Sequence, residues 1–467
     1  MPKTILLEFN ELCPPLMEQW IAERRLPNFE RLRQQSHVFT TEPDVTDAAK
    51  LEPWIQWYSL HTGLAFDEHR VFHLTEGAKA ANEDIYSTMI AAGRRVGSFA
   101  SMNVRPFSSP GSFFVGDPWT ESGDASPAEL NDYNRFVSYS VREYSNAASR
   151  LALRDYARFL NFMLRHGLAA STIVAIMRQL ATERLQDPRL SYRRVAILDR
   201  MQFDVFRHYY RRMKPELASF FINSTAHLQH SYWRHMAPES FKIRPGADEQ
   251  HVYGDAIRFG YEAMDKLVGE FLTLAEHEGA RLIFATALSQ QPFLLHEEVG
   301  GQHFYRAANI ERFLRDLDIV AEDVDPTMTH QYLARFKDKD TRDDARAKLS
   351  ALTIGGTPLI GFASIETSER ELYLGCNVTR KALPDAVFTS ALSGRSWNFA
   401  DAFYKLDAIK SGRHHPSGML WIQTGQHRPI NMPVSILDVF PTLLDLHGVP
   451  TPPAVERRGK SLVPLLS

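Results

Sequence analysis

The sequence contains little cysteine and no excess of either charge. Only two of its 467 residues are cysteines, Cys13 and Cys376, and neither lies in a CxxC or Cys/His spacing. This usage favours a reducing compartment. The 53 Lys and Arg residues are balanced by 56 Asp and Glu residues, which gives a formal net charge of -3. The overall charge therefore provides no general attraction for nucleic acid or for an anionic membrane, and we expect no nucleic-acid partner.

Long apolar runs are also lacking. The first residues contain only a short apolar stretch before Glu8, which is well below the roughly 7 to 15 residues of a signal-peptide core. No stretch approaches the roughly 20 apolar residues that span a bilayer. We therefore expect a soluble, cytoplasmic protein without a transmembrane segment.

What the chain does contain is typical of a globular protein with a large core. Hydrophobic residues make up 44% of the sequence and charged residues 23%, so disordered, collagen-like and coiled-coil structures are excluded. The length allows roughly two to four domains, or one large α/β domain with an inserted cap.

Strand and helix patterns alternate along much of the chain. Residues 4–9 predict a buried strand that ends before Asn10, residues 218–222 and 281–285 predict two more strands, and residues 255–277 predict the helix between those two. The alternation indicates an α/β fold. Because ligands bind beyond the carboxyl ends of strands in such sheets, we expect the functional site there.

Two segments have a different character. Residues 127–213 show helical spacing with few β-branched runs, which predicts a helical insertion, or cap, between the two parts of an α/β core at 1–126 and 214–467. Residues 321–350 are charged and helix-prone, which indicates a solvated face without chemistry.

Four segments are notable for their order along the chain, namely residues 26–32, 57–64, 436–450 and 459–466. Together they resemble the alkaline phosphatase superfamily, and specifically its branch of type I phosphodiesterases, nucleotide pyrophosphatases and sulfatases. The second segment, Trp57 to Leu64, is similar to that family's nucleophile helix ending in Thr-Gly. The resemblance implies a three-layer α/β/α fold around a central mixed, mostly parallel sheet. It also implies two divalent cations about 4 Å apart that activate an ester for attack by Thr, Ser or a modified Cys.

The first metal-ligand position of the family falls on Asn10. A neutral amide binds a cation only through its oxygen. Glu8 and Glu11 flank Asn10 and could supply the missing charge, and strand alternation puts Glu8 on the same side as Asn10 and Glu11 on the other. The alternative is a strand-end cap with exposed glutamates.

The nucleophile position of the family falls on Pro53, which has no nucleophilic side chain. Glu52 lies beside it, Lys50 lies two residues before Glu52, and Thr46 could reach the site only through a reshaped loop. A carboxylate can serve as nucleophile or general base, so Glu52 is the preferred candidate. Gln56 is a candidate polar contact to substrate.

Further ligand positions follow the predicted strand at 218–222. Asn223 and His227 keep the family's spacing of Asp, three residues, then His, and His230 lies one helical turn after His227. A histidine at the start of a helix is usually structural, so a purely structural role stays open for both histidines.

The next position, usually Asp-His, falls on Gln290 and Gln291, which could equally form a polar turn before Pro292. The last metal-binding histidine of the family corresponds to His414, with His415 as a less favoured alternative.

The neutral residues at these positions make a standard two-metal centre improbable, because two dications would lack compensating carboxylates. We expect at most one divalent cation, Zn, Mn or Mg, with Glu8, His227 and His414 as candidate ligands. Candidate catalytic residues are Glu52, His227 and Gln290. Candidate substrate-binding residues are Asn10, Gln56, Arg105, Asn223, His230 and Gln291.

Two functions remain open. The first is a hydrolase or transferase that acts on a phosphate, phosphodiester or sulfate ester, with a small anionic ester as substrate. The second is a catalytically silent relative that binds a ligand or recruits a partner. Convergence of Glu52, His227, Gln290 and His414 within about 5 Å of one centre would favour the enzyme. The sequence does not define the oligomeric state.

Overall fold

The computed structural model describes residues 2–47, 50–119, 125–142, 151–327, 330–363, 368–406, 409–452 and 457–466. The strands are β1 (Lys3–Phe9), β2 (Ser36–Glu42), β3 (Val96–Phe99), β4 (Phe113–Val115), β5 (Leu217–Ile222), β6 (Ala280–Ala285), β7 (Ser289–Pro292), β8 (Tyr305–Ala307), β9 (Asp323–Pro326), β10 (Gln331–Arg335), β11 (Leu352–Ile354), β12 (Thr357–Pro358), β13 (Ile360–Phe362), β14 (Glu371–Cys376), β15 (Val387–Ser390), β16 (Ser396–Asn398), β17 (Phe403–Lys405), β18 (Gly412–His415), β19 (Gly418–Gln423), β20 (Arg428–Pro429) and β21 (Val434–Ser435).

The α-helices are α1 (Pro14–Ala22), α2 (Pro27–Gln34), α3 (Pro53–Thr62), α4 (Phe66–His69), α5 (Ile85–Ala91), α6 (Asn131–Arg142), α7 (Leu153–Arg165), α8 (Ala170–Leu185), α9 (Arg194–Met213), α10 (Ser224–Met236), α11 (Ala247–Tyr253), α12 (Ala256–Glu278), α13 (Ile310–Asp316), α14 (Lys339–Ser350), α15 (Phe399–Ala402) and α16 (Val439–Leu446).

The central sheet is mixed and mostly parallel, as the sequence predicts. Its order is β20-β2-β19-β6-β1-β5-β3-β4, with β21 also paired to β2. Strands β1, β3, β4, β5 and β6 run parallel to their neighbours within this group, and β19 is antiparallel to both β6 and β2. The apolar runs predicted as strands at 4–9, 218–222 and 281–285 are β1, β5 and β6.

Helices cover both faces of the sheet, which confirms the three-layer α/β/α architecture. Successive side chains of a strand point to opposite faces. Phe9 packs edge-to-face on Phe29 of α2, whereas its neighbour Glu8 is hydrogen-bonded to His61 of α3. On the same face as Phe9, Phe220 of β5 packs against the aromatic side chains of α9 and α12.

Helices α6–α9 lie in the segment 127–213 that the sequence indicates as a helical insertion. Helix α9 contacts β5 and α12, and its Phe203 and Phe206 belong to the main hydrophobic core. Phe159, Phe162 and Met163 of α7 join the same core. The proposed boundaries of the insertion stay a prediction.

Residues 305–403 contain a second hydrophobic core of their own. Two small antiparallel sheets, β9-β10-β14-β13 and β12-β11-β15-β16, surround it. The helical expectation for residues 321–350 holds for α14 but is wrong for β9 and β10. Charged residues of β9 and β10 pair across the two strands, because the Arg335 guanidinium contacts the carboxylates of Asp323 and Asp325.

In the part of the chain that the structure describes, no helix is both long enough and apolar enough to cross a membrane.

Candidate active site

The site lies at the carboxyl ends of β1, β5 and β6. These parallel strands are neighbours, with Phe9 paired to Ile222 and Glu8 paired to Ala285. The backbone amide of Asn10 still donates to Ile222 O, and that of Glu11 donates to Thr286 O. The residues that follow the three strands therefore meet at one edge of the sheet.

Glu11 lies at the centre of this site. Its backbone no longer follows the extended path of β1, so its side chain is directed to the same side as Asn10. Its φ of 59° places it in the left-handed region, which is uncommon for a residue other than glycine. The period-2 alternation that put Glu11 opposite Asn10 applies only within an extended strand, and β1 ends at Phe9. In the structure Asn10 Nδ2 donates to Glu11 Oε1 over 2.7 Å.

The second carboxylate oxygen of Glu11 has three polar neighbours. Gln290 Nε2 donates to Oε2 over 2.6 Å, and the Nε2 atoms of His230 and His414 lie 3.3 and 3.5 Å from the same oxygen. Burial alone would raise the pKa of Glu11, but electrostatic interaction with His414 and His230 and the hydrogen bonds lower it to about 2. Glu11 is therefore a carboxylate at neutral pH.

The ring orientation of both histidines is set by backbone carbonyls. His230 Nδ1 lies 3.1 Å from Gly412 O, and His414 Nδ1 lies 2.7 Å from Leu51 O. A carbonyl only accepts, so Nδ1 carries the proton in each ring, and the neutral ring keeps its lone pair on Nε2. Burial lowers the pKa of His414 to about 4, which keeps that ring neutral at pH 7.

This donor set fits a divalent cation. One oxygen of Glu11 and one nitrogen each of His230 and His414 lie within 4.8 Å of one another. Where both rings are neutral, their Nε2 lone pairs and the Glu11 carboxylate repel one another unless a cation lies between them. Nδ1–H groups bound to carbonyls are the usual support of metal-binding histidines. Among the residues that the structure describes, buried Gln290 Oε1 has no hydrogen-bond partner.

A two-stranded ribbon carries part of the site. Strands β7 and β18 pair antiparallel, with Gln290 directly opposite His414. Gln291, the adjacent residue of β7, donates from Nε2 to His414 O over 3.1 Å. A Cβ at Gly412 would lie 2.5 Å from Gln290 Oε1 and 2.6 Å from the carbonyl oxygen of Gln229, so only glycine fits there. The alternative of a polar turn at Gln290 and Gln291 is not observed, because both residues lie in β7.

Glu52 and Lys410 lie beside the three ligand atoms. Glu52 directly precedes α3, and its Oε2 is 3.4 Å from His414 Nδ1. Burial raises the pKa of Glu52 to about 8, with opposing effects of the Lys410 ammonium, which lowers it, and the Glu11 carboxylate, which raises it. Burial lowers the pKa of Lys410, and the charges of Glu52 and Glu11 counteract this.

Lys410 was not among the residues predicted from the sequence. It lies four residues before His414, and this proximity to the last matched histidine is a signal that could have identified it. Glu11 was considered only as a flanking residue, for the backbone reason given above.

Asn10 and Asn223 meet at the same edge. Asn10 Nδ2 donates to Asn223 Oδ1 over 2.7 Å as well as to Glu11, and Trp57 Nε1 donates to Asn10 Oδ1 over 2.8 Å. The amide group of Asn10 thus donates to both Glu11 Oε1 and Asn223 Oδ1 and links these two oxygens without a cation.

Solvent reaches part of the site. The side chains of Glu52, His230 and His414 keep 28%, 33% and 19% of their exposure, whereas that of Glu11 keeps 2%. A small ligand can therefore approach the histidines and Glu52, with Glu11 at the buried floor.

The other predicted metal ligands lie apart from the three facing atoms. Glu8 is buried against α3, with Oε1 2.7 Å from His61 Nε2. His227 lies one turn before His230 on α10, and burial together with His230 lowers its pKa to about 4. The three atoms that face one another belong to Glu11, to His230 and to His414, of which only His414 is among the predicted metal ligands.

Two predicted substrate contacts lie elsewhere. Gln56 is fully buried, and its Oε1 accepts from the backbone amide of Asp44. Burial raises the pKa of Tyr58, in α3, and that of Asp84, which caps α5, and the charge of Arg105 counteracts both shifts. His415 contacts Ser289 and the backbone of Ser417 rather than Glu11.

A comparison with models of protein families finds no match. A stretch of 65 residues is 35% identical to arylsulfatase K of Danio rerio, which amounts to 14% of this chain and 12% of that protein. Among solved structures, an inactive variant of murine ectonucleotide pyrophosphatase/phosphodiesterase 5 in complex with AMP aligns over 98% of both chains, with a TM-score of 0.41 and 11% sequence identity.

Proposed function

We propose that this protein is a member of the alkaline phosphatase superfamily that hydrolyses a phosphate, phosphodiester or sulfate ester with a single divalent cation. The observation that carries the proposal is the convergence of Glu11 Oε2, His230 Nε2 and His414 Nε2 on one centre at the carboxyl edge of the sheet. Two imidazoles and one carboxylate are a common donor set of catalytic zinc sites, and imidazole suits Zn²⁺ better than Mg²⁺.

The charges around this centre suit an anionic ester. When bound, the cation would draw electron density from an ester oxygen. Lys410 contributes a positive charge beside it, and the family's anionic residues are replaced by neutral amides at Asn10 and Asn223. An anionic oxygen is therefore held without repulsion from carboxylates at those two positions.

Glu52 is the group that we assign to proton transfer. Pro53 leaves no hydroxyl at the nucleophile position of the family, so water is the attacking group. The Glu52 carboxyl group lies next to His414 and keeps part of its exposure, and it accepts the proton of water or returns one to the leaving oxygen.

A direct test combines metal analysis with a substrate panel. Wild-type protein is analysed for bound metal and assayed on a phosphomonoester, a phosphodiester and a sulfate ester. Glu52→Gln should keep the metal and lose turnover. The control is His415→Gln, which changes the residue next to His414 in sequence and should keep both metal and turnover. Turnover that persists in Glu52→Gln removes Glu52 from this role.

A second function has its own support. The Asn10 amide bridges Asn223 and Glu11, and Pro53 replaces the nucleophile, which are both features of a silent relative that binds a ligand. If wild-type protein takes up no Zn, Mn or Mg and hydrolyses no ester of the panel, the enzyme proposal fails and this second function is favoured.

A further inference from the structure

Helices α7 and α8 expose large apolar side chains. On α7 these are Leu153, Tyr156, Leu160 and Leu164, and on α8 they include Ile173, Val174, Met177 and Leu180. Their exposure ranges from 41% for Ile173 to 88% for Leu153. Single exposed apolar residues are ordinary, but a contiguous group marks an interaction surface.

The spacing on α7 makes these residues one stripe. Leu153, Tyr156, Leu160 and Leu164 recur at intervals of three and four residues, which places them on one face of the helix. The side of α7 that carries Phe159, Phe162 and Met163 is already packed in the main core. The exposed stripe is therefore a second apolar face of α7, of which Tyr156 also packs edge-to-face on Phe136 of α6.

Helix α8 follows α7 after a short connection and carries exposed apolar side chains of its own. Ile173, Met177 and Leu180 also recur at helical spacing, and only residues 166–169 separate the two helices. We call these eight residues, together with the arginines described next, the α7–α8 face.

The charge beside the apolar side chains is of one sign. The exposed charged residues of the two helices are Arg154, Arg158, Arg165, Arg178 and Arg184. The acidic residues of the two helices are engaged with neighbouring groups. Asp155 is half-buried and accepts from the backbone amide of Ala152, and its Oδ1 lies 4.0 Å from Arg154 Nε, so it offsets part of that charge. Glu183 is buried and paired with Arg194.

We propose that the α7–α8 face docks on an anionic lipid bilayer. Leucine, tyrosine and methionine side chains enter the boundary between headgroups and acyl chains, and the arginines extend to the lipid phosphates. The attraction is local, since the whole chain carries a net charge of -3. A symmetric pair of copies joined through this face is disfavoured, because it brings the arginines of one copy against those of the other without exposed carboxylates on these helices.

The experiment is sedimentation of the full chain with vesicles. Vesicles of phosphatidylcholine alone are compared with vesicles of equal parts phosphatidylcholine and phosphatidylserine. We expect binding to the anionic vesicles only, with weakening as salt is raised. The double variant Leu160→Ser/Met177→Ser should bind the anionic vesicles with an affinity at least roughly tenfold lower, since two apolar anchors are lost. The double variant Arg158→Glu/Arg178→Glu should show a similar loss.

Matched controls are Leu383→Ser/Leu392→Ser, whose leucines are 70% and 68% exposed in the second core region, and Arg312→Glu/Arg380→Glu. Both controls should bind as wild type does, and thermal melts of all variants should coincide because every changed side chain is exposed. Absence of binding to anionic vesicles overturns the proposal. So does equal weakening by the controls, or a dimer in solution that Leu160→Ser/Met177→Ser dissociates.

Discussion

Glu8 and Glu11 lie three residues apart at the end of β1, and each faces histidine. Glu8 Oε1 contacts a single ring nitrogen, His61 Nε2, and both side chains are at most 1% exposed. Glu11 Oε2 instead faces the Nε2 atoms of His230 and His414, whose side chains are partly exposed to solvent. The comparison teaches that a Glu and His pair forms a candidate ligand set only where several lone pairs converge and a ligand can enter.

The largest expected effect tests the Glu11 side of this comparison. Glu11→Gln should remove bound metal and reduce ester hydrolysis by at least about 1,000-fold, because it deletes the only carboxylate that we assign to the cation. Glu8→Gln is the matched control, since it makes the same change in a buried glutamate beside a histidine. Metal content and turnover of Glu8→Gln should stay near wild type. Equal metal loss in both variants would contradict the assignment of Glu11, and not Glu8, as the metal ligand.

The Glu8 side is tested through stability. Glu8→Ala should lower the free energy of unfolding by about 2–5 kcal/mol, because it opens a cavity and leaves His61 Nε2 without this partner. Urea denaturation in the presence of a chelator measures this without a contribution from metal. If Glu8→Ala has the same free energy of unfolding as wild type, the contact between Glu8 and His61 does not stabilise the fold.

Glu52 tests whether a carboxyl group near His414 can act in catalysis without binding the metal, because it is not one of the three candidate ligands. Glu52→Gln should reduce turnover by about 100-fold while metal content is unchanged, as expected for loss of general acid–base catalysis. Steady-state kinetics with metal-loaded protein measures it. A loss of metal in this variant would make Glu52 a ligand.

Gly412 tests the ribbon that supports the site. Gly412→Ala should destabilise the protein by about 1–3 kcal/mol, because its Cβ would overlap Gln290 Oε1 and the backbone of Gln229. It should also weaken metal binding, since Gly412 O orients His230. Gly394→Ala has open space around it and is a control for the loss of glycine, although its positive φ adds some strain. Thermal melts of both variants with and without Zn²⁺ give the comparison.

A further effect concerns pH, where Glu11 and Glu52 differ in sign. The folded pKa of Glu52, about 8, is above the ordinary value of 4.5, so its contribution to stability is present below pH 4.5 and is lost as the pH rises through about 8. The folded pKa of Glu11, about 2, is below that value, so its contribution is present above pH 4.5 and is lost as the pH falls towards 2.

Chelator-treated wild type should therefore lose stability relative to Glu52→Gln between pH 4.5 and about 8, with a slope of at most about 1.4 kcal/mol per pH unit. Urea denaturation at several pH values measures this difference. Parallel curves for the two proteins would contradict it.

The sequence predicted the parts of the site that depend on strand ends. Apolar runs defined β1, β5 and β6, and parallel neighbours bring their carboxyl ends together, so Asn10 and Asn223 were expected at one edge. The matched segments also indicated Gln290 and His414, which the structure places opposite each other on β7 and β18.

The choice between His227 and His230 could not be made from the sequence. Both lie at the start of α10, and their spacing does not show which side of the helix faces β18, a strand that arrives about 180 residues later in the chain. The structure places the His230 ring 5.2 Å from that of His414.

The sequence by itself determined the α/β architecture and the helical character of the segment that contains α7 and α8, because apolar spacing reports which face of each element is buried. Tertiary structure alone decided that Glu11 turns back towards Asn10, that Glu52 and Lys410 approach His414, and that one apolar face of α7 remains exposed. These outcomes depend on a left-handed backbone residue and on packing between distant segments, and neither is encoded in local periodicity.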